Sequence, residues 1–229
     1  MAFSIHRRRL SAATSIVSIA AAAASLSACG DGAPGHHSAS GDVHCDYSTT
    51  PSQAKPGTTV PSGDPATEDV TLTLETNRGE IPIELYADKA PCTVATITHL
   101  AQEGYYDNTI CHRLTTSGLF VLQCGDPTGT GSGNPGFKFA DEWPVGESSK
   151  GNLYHAGTVA MANSGPNTNG SQFFINYEDS PLQPDYTIFG EVTGNGLDVV
   201  RAIAEKGTVD DIPSGPPAES VEIIKARVN

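Results

Sequence analysis

The chain has 229 residues, of which 38% are apolar and 17% charged, the composition of an ordinary globular protein with room for one sizeable domain and accessories. Its formal net charge is -13, and loss of a leader carrying Arg7, Arg8 and Arg9 but no acid would leave the remainder more negative still. Such a surface repels phosphate backbones, which excludes nucleic acid as a partner, and an anionic lipid surface gives it no electrostatic help.

Residues 1–28 have the three parts of an export signal: the basic cluster Arg7, Arg8 and Arg9, an apolar and small-residue run over 10–24, and a small-residue exit. The run is too short to span a bilayer as a stable helix. Leu26-Ser27-Ala28-Cys29 resembles a bacterial lipobox, in which the Cys thiol receives a diacylglyceryl group before cleavage ahead of it. The resemblance implies lipidation at Cys29 and anchoring to the outer face of a bacterial cytoplasmic membrane, where two acyl chains hold a protein that one would not. A simple cleaved signal is the alternative, and the arginines leave Sec and twin-arginine export both open. Residues 29–69 are Gly, Pro, Ser, Thr, Asp and Ala with few large apolar side chains, so they read as a flexible tether unable to offset its ordering entropy by burial. His36 and His37 read as an ordinary linker pair rather than a metal tract.

Residues 70–229 carry the folded pattern. Val70, Leu72 and Leu74 alternate with polar residues, Asn77-Arg78-Gly79 supplies a turn, and Ile81, Ile83 and Leu85 alternate again, which predicts a hairpin. Pro91 opens a helix with Val94, Ile97 and Ala101 at helical spacing, and Gly104 stops it. Leu197, Val200 and Ile203 predict a second helix ending at Gly207. Short apolar runs at 119–122, 158–161, 173–175, 187–192 and 221–224 read as strands. Many short strands with two helices predict a mainly β fold with a closed or nearly closed antiparallel sheet, since closure removes exposed edges.

Several motifs carry little chemistry. Gly131, Gly133 and Gly136 satisfy G-x-G-x-x-G, yet Pro135 and the run 137–142 follow instead of a helix, so the segment reads as a loop rather than a phosphate cradle. Ser164 and Ser171 lie in no nucleophile-elbow pattern, which leaves a hydrolase without a nucleophile. His112 with Cys111 and Cys124 fits no zinc-ligand template. Neither a metal nor another cofactor is expected.

The informative segments are Cys111-His112-Arg113, Phe120-Val121-Leu122-Gln123-Cys124-Gly125-Asp126, and MANSGPNTNGSQFFI at 161–175. Together they resemble the cyclophilin family of peptidyl-prolyl isomerases, over about residues 70–228. The resemblance implies a closed eight-stranded antiparallel β-barrel capped by two α-helices. Carried over residue by residue, it implies Arg113 as the catalytic arginine, Gln123 beside it, and Phe120, Phe174 and Leu182 as walls of a proline pocket. Val121, Ala162, Asn163, Gln172 and Tyr186 are implied to line the peptide groove. The chain departs from the family pattern in a loop two residues longer between Arg113 and Phe120, in Val121 for Met, in Tyr186 for His, and in lacking a Trp near Pro181. Weak cyclosporin binding is the expectation. Four cysteines beyond Cys29 allow three pairings in an exported protein. The resemblance places Cys111 and Cys124 on adjacent strands, a candidate disulfide, against the alternative of buried free thiols.

The function implied is acceleration of X-Pro isomerisation in exported proteins during folding, by a monomer that binds proline-containing segments. The alternative is a proline-segment binding module or chaperone with incidental turnover.

Overall fold

The computed structural model describes residues 43–50, 55–146 and 151–229. The expected signal at 1–28, Cys29 and part of the expected tether lie outside the described residues.

The chain runs β1 (Ser48–Thr49), β2 (Val70–Thr76), β3 (Gly79–Leu85), α1 (Pro91–Gln102), β4 (Thr109–Ile110), β5 (Arg113–Thr115), β6 (Val121–Cys124), β7 (Phe137–Lys138), β8 (Thr158–Met161), β9 (Phe173–Asn176), β10 (Ile188–Val192), α2 (Gly196–Ala204), β11 (Ser214–Gly215) and β12 (Glu222–Val228). The described residues are thus mainly β with two α-helices. The predicted hairpin is β2–β3, paired from Val70↔Leu85 to Thr76↔Gly79. Gly79 closes it at φ +133°, where a Cβ would meet Val199 Cγ2 at 3.0 Å. Helix α1 opens on Pro91, and the backbone N–H groups of Cys92 and Thr93 donate to the Glu142 carboxylate at 2.9 and 2.8 Å. An acceptor anion there satisfies donors that the helix itself leaves unpaired.

The closed eight-stranded barrel is corrected by the ladder. Ten strands pair in the open order β11-β5-β6-β9-β8-β10-β3-β2-β12-β4, a curled half-barrel. Its two flanks meet at 109–115, which forms two short strands instead of one: β4 pairs with β12, β5 pairs with β6, and Cys111-His112 separates them. No single strand over 109–115 therefore pairs with both β12 and β6, and β11 covers the outer edge of β5.

Packed structure also begins before Val70, contrary to a free tether up to that point. Cys45 is buried and disulfide-bonded to Cys92 on α1, and β1 pairs with β7. Tyr47 sets its ring edge-on against Phe137 and Phe139 at 5.3 and 5.9 Å between centroids. A second disulfide joins Cys111 and Cys124.

Alternation along the strands divides the apolar residues between two clusters. Leu122, Cys124, Phe173 and Ile175 join the main core with Leu72, Leu74, Ile81 and Ile83. Val121, Phe174, Ala160 and Ile188 form a smaller cluster on the opposite face, together with Tyr154.

Candidate active site

One cross-strand row builds the site. Arg113 on β5 faces Gln123 on β6, Gln123 faces Phe174 on β9, and Phe174 faces Ala160 on β8. Directly opposed residues of an antiparallel sheet share a face, so the ladder itself places a guanidinium, an amide and an aromatic ring side by side. At their outer surface lies a cavity of about 200 Å³ lined by Arg113, Leu119, Val121, Gln123, Ala162, Asn163, Phe174, Leu182 and Tyr186. One end is charged and the rest largely apolar.

Hydrogen bonds fix the charged end. Arg113 Nε donates to Ser214 Oγ at 3.0 Å and an Nη donates to Gln123 Oε1 at 3.2 Å. Gln123 Nε2 donates to Gln172 Oε1 at 2.9 Å, and Gln172 Nε2 donates to the carbonyls of Gly131 and Gly133 at 3.0 and 2.9 Å. Because each amide has its donor and acceptor ends assigned by the next partner, the relay leaves one orientation for the guanidinium. The glycine loop that begins this relay is held by Asp126. Burial would raise that carboxyl, but hydrogen bonds from Thr128, Gly133 and Gly131 outweigh it and keep its pKa below the usual carboxylate value. Gly133 has no room for a side chain, since a Cβ would lie 1.9 Å from Asp126 Oδ1.

The apolar end is framed by aromatic contacts. The Phe174 and Tyr186 rings meet edge to face at 5.5 Å, and Tyr186 meets Tyr154 at 6.2 Å. Tyr154 is fully buried, its hydroxyl donates to the Tyr186 carbonyl at 2.9 Å, and burial pushes its pKa up to about 12. Asn163 uses its side chain to hold the rim, donating from Nδ2 to the Asp185 carbonyl at 2.9 Å and accepting from the Gly165 N–H at 3.2 Å.

Phe120 is the expected site residue that the structure puts elsewhere. Its ring packs with the main core and lies edge-on to Tyr177 at 5.9 Å, outside the cavity lining. The cause is the two-residue period: Val121 and Gln123 face the cavity, so Phe120 shares Leu122's side. Leu119 takes the cavity position instead. Arg113, Gln123, Val121, Ala162, Asn163, Phe174, Leu182 and Tyr186 line one cavity, with Gln172 behind Gln123. Leu119, Ser214 and Tyr154 were not anticipated. For Leu119 the signal lay in its spacing of two from Val121; for Ser214, a contact across 101 residues, the sequence held none. Cys111 and Cys124 are bonded to each other, which removes both as thiolate ligands beside His112.

The described residues thus form a curled antiparallel sheet with two helices, bearing an arginine at the edge of a small cavity with largely apolar walls. The family model "Cyclophilin type peptidyl-prolyl cis-trans isomerase/CLD" matches residues 71–228. The chain belongs to that family. It is 44% identical over 200 residues to a "Probable peptidyl-prolyl cis-trans isomerase B" of Mycobacterium leprae, covering 82% of this chain and 67% of that one. The counterpart in Mycobacterium tuberculosis is 43% identical, with 79% and 62% covered, so this chain spans about two thirds of the length of these relatives. Among solved structures, a cyclophilin type peptidyl-prolyl cis-trans isomerase of Cryptosporidium parvum is 32% identical with a TM-score of 0.61, covering 71% of this chain and 98% of its own. The same protein in the presence of the dipeptide Ala-Pro gives a TM-score of 0.59, with 69% and 98% covered.

Proposed function

We infer that this chain is a peptidyl-prolyl cis-trans isomerase that binds proline-containing segments of exported proteins and accelerates their X-Pro rotation during folding. Rotation about an amide is opposed by a barrier of about 18–20 kcal/mol, because the nitrogen lone pair is delocalised into the carbonyl. No bond breaks, so catalysis requires only that the twisted amide be bound more tightly than the planar one. In the twisted state the proline nitrogen is pyramidal and basic, and the Arg113 guanidinium, always charged and carrying a rigid fork of donors, can donate to it. Phe174, Leu182, Val121 and Leu119 hold the ring while the preceding carbonyl swings, and the apolar walls strengthen the charge effect by excluding water.

The observation that carries this reading is the placement of Arg113 at the edge of the apolar cavity, oriented by Gln123 and Ser214. A protein whose refolding is limited by proline isomerisation tests it: the full chain speeds the slow phase, Phe174→Ala speeds it much less, and no acceleration by the unaltered chain would refute the reading. Weak cyclosporin inhibition is expected from the small Val121 wall and the exposed Pro181 in place of an aromatic, and a nanomolar inhibition constant would contradict it.

Export and anchoring through Cys29 belong to the same reading. Two disulfides, Cys45–Cys92 and Cys111–Cys124, support an oxidising compartment. Metabolic labelling with a fatty acid is expected to mark the native protein and not Cys29→Ala; an unlabelled native protein in a bacterial host would remove the anchor.

A further inference from the structure

The walls of the small cavity have two origins. The strand ladder sets Arg113, Gln123 and Phe174 side by side, but Leu182 and Tyr186 come from residues 177–187, an irregular segment between β9 and β10. Such a segment needs anchors other than a strand ladder if its side chains are to stand at a fixed distance from the opposite wall.

Those anchors converge on Tyr154. Its backbone carbonyl accepts from the Ser180 N–H at 2.9 Å, two residues before Leu182. Its hydroxyl engages both backbone groups of Tyr186, accepting from the N–H at 3.1 Å and donating to the carbonyl at 2.9 Å. One residue therefore grips the segment on both sides of Leu182. Between the grips the hydrogen bonds are local, from the Leu182 N–H to the Ser180 carbonyl at 2.8 Å and from the Asp185 N–H to the Gln183 carbonyl at 2.7 Å, while Pro181 and Pro184 have no N–H to donate. Tyr154 is suited to the role of a post because it is fully buried, with its ring 6.4 Å from Phe174 and 6.2 Å from Tyr186 between centroids, and its own N–H donates to Asn152 Oδ1 at 3.2 Å. It stands behind the cavity lining rather than in it.

We propose that Tyr154 is a positioning residue of the isomerase: by holding the Tyr186 backbone it keeps Leu182 and Tyr186 at a set distance from Phe174, and so fixes the size of ring the cavity accepts. The inference rests on the isomerase reading given above. The walls hold the ring in the planar and the twisted amide alike, so loss of the post weakens both states and the cost falls on KM rather than on kcat.

The test compares the full chain with Tyr154→Phe, which keeps the ring and removes the hydroxyl. Both are assayed on two peptides of one sequence, carrying either proline or its six-membered homologue pipecolic acid. In Tyr154→Phe, KM for the proline peptide is expected to rise about fivefold, the size of a lost hydrogen bond, with kcat within about twofold of native. The proline-over-pipecolate ratio of kcat/KM falls by about threefold or more, because a loosened wall admits the extra methylene. A native KM, or a raised KM with the native ring-size ratio, overturns the positioning role and leaves the isomerase intact. Absence of turnover of either peptide by the unaltered chain overturns both. Should Tyr154→Phe fail to fold, amide exchange in the unaltered protein decides: the Tyr186 N–H is expected to exchange about tenfold or more slower than an exposed loop amide, and exchange at the exposed rate overturns the role.

Discussion

At the scale of single residues, the proposed chemistry depends on Arg113 being aimed as well as present. Gln123 accepts from Arg113 and donates to Gln172, so Gln123→Leu strips both of a partner without removing the charge. The expected result is a fall of about tenfold in kcat with KM changed little, the loss typical of a disturbed orienting hydrogen bond. An unchanged kcat would show that the relay is ornamental. His112, next to Arg113, is half-buried with Nδ1 lacking a hydrogen-bond partner. Burial lowers its pKa, Asp126 opposes the shift and Arg113 adds to it. Since the native imidazole binds a proton less readily than the unfolded one, whose pKa is about 6.5, this residue's contribution is fully present above that pH and is lost as pH falls below it. Urea midpoints measured from pH 7.5 down to 5 should decline less steeply for His112→Gln than for the native chain; parallel declines would contradict the assignment.

At the scale of elements, the two disulfides divide the labour. Cys111–Cys124 ties the break between β4 and β5 to the end of β6, next to Gln123, whereas Cys45–Cys92 holds the strap at 43–50, β1 included. Their sequence separations of 13 and 47 residues imply different effects on the unfolded chain. In the chain-entropy account, removing the shorter loop costs roughly 3 kcal/mol and the longer roughly 4 kcal/mol. Paired Cys→Ser variants followed in denaturant should therefore show the larger loss for Cys45–Cys92, and the reverse order would assign the strap little stabilising role. The hairpin and both helices were legible because their periodicities and turn glycines are local. The strap was not, because a short segment with Cys45 and Tyr47 among polar residues shows no period; its partners Cys92 and Phe137 lie far along the chain. Most cavity-lining residues were legible through the family motifs. The outward turn of Leu119 in place of Phe120 was not, because motif matching aligns identities while the pleat decides which face each side chain takes.

At the scale of the whole molecule, a net charge of -13 surrounds a small cavity lined by the Arg113 cation. The arrangement sets the Arg113 charge beside the small cavity and leaves the remaining surface to discourage polyanions. Arg113 is expected to act on the twisted amide and to contribute little to holding the planar one. Exchange spectroscopy on an X-Pro peptide at saturating protein reads both quantities together, giving the bound-state interconversion rate and the Kd for the native chain and for Arg113→Ala. The substitution is expected to slow bound-state exchange by about 10²-fold or more while Kd shifts by about threefold or less, the pattern of a lost transition-state donor. Interconversion at the native rate in Arg113→Ala would contradict it.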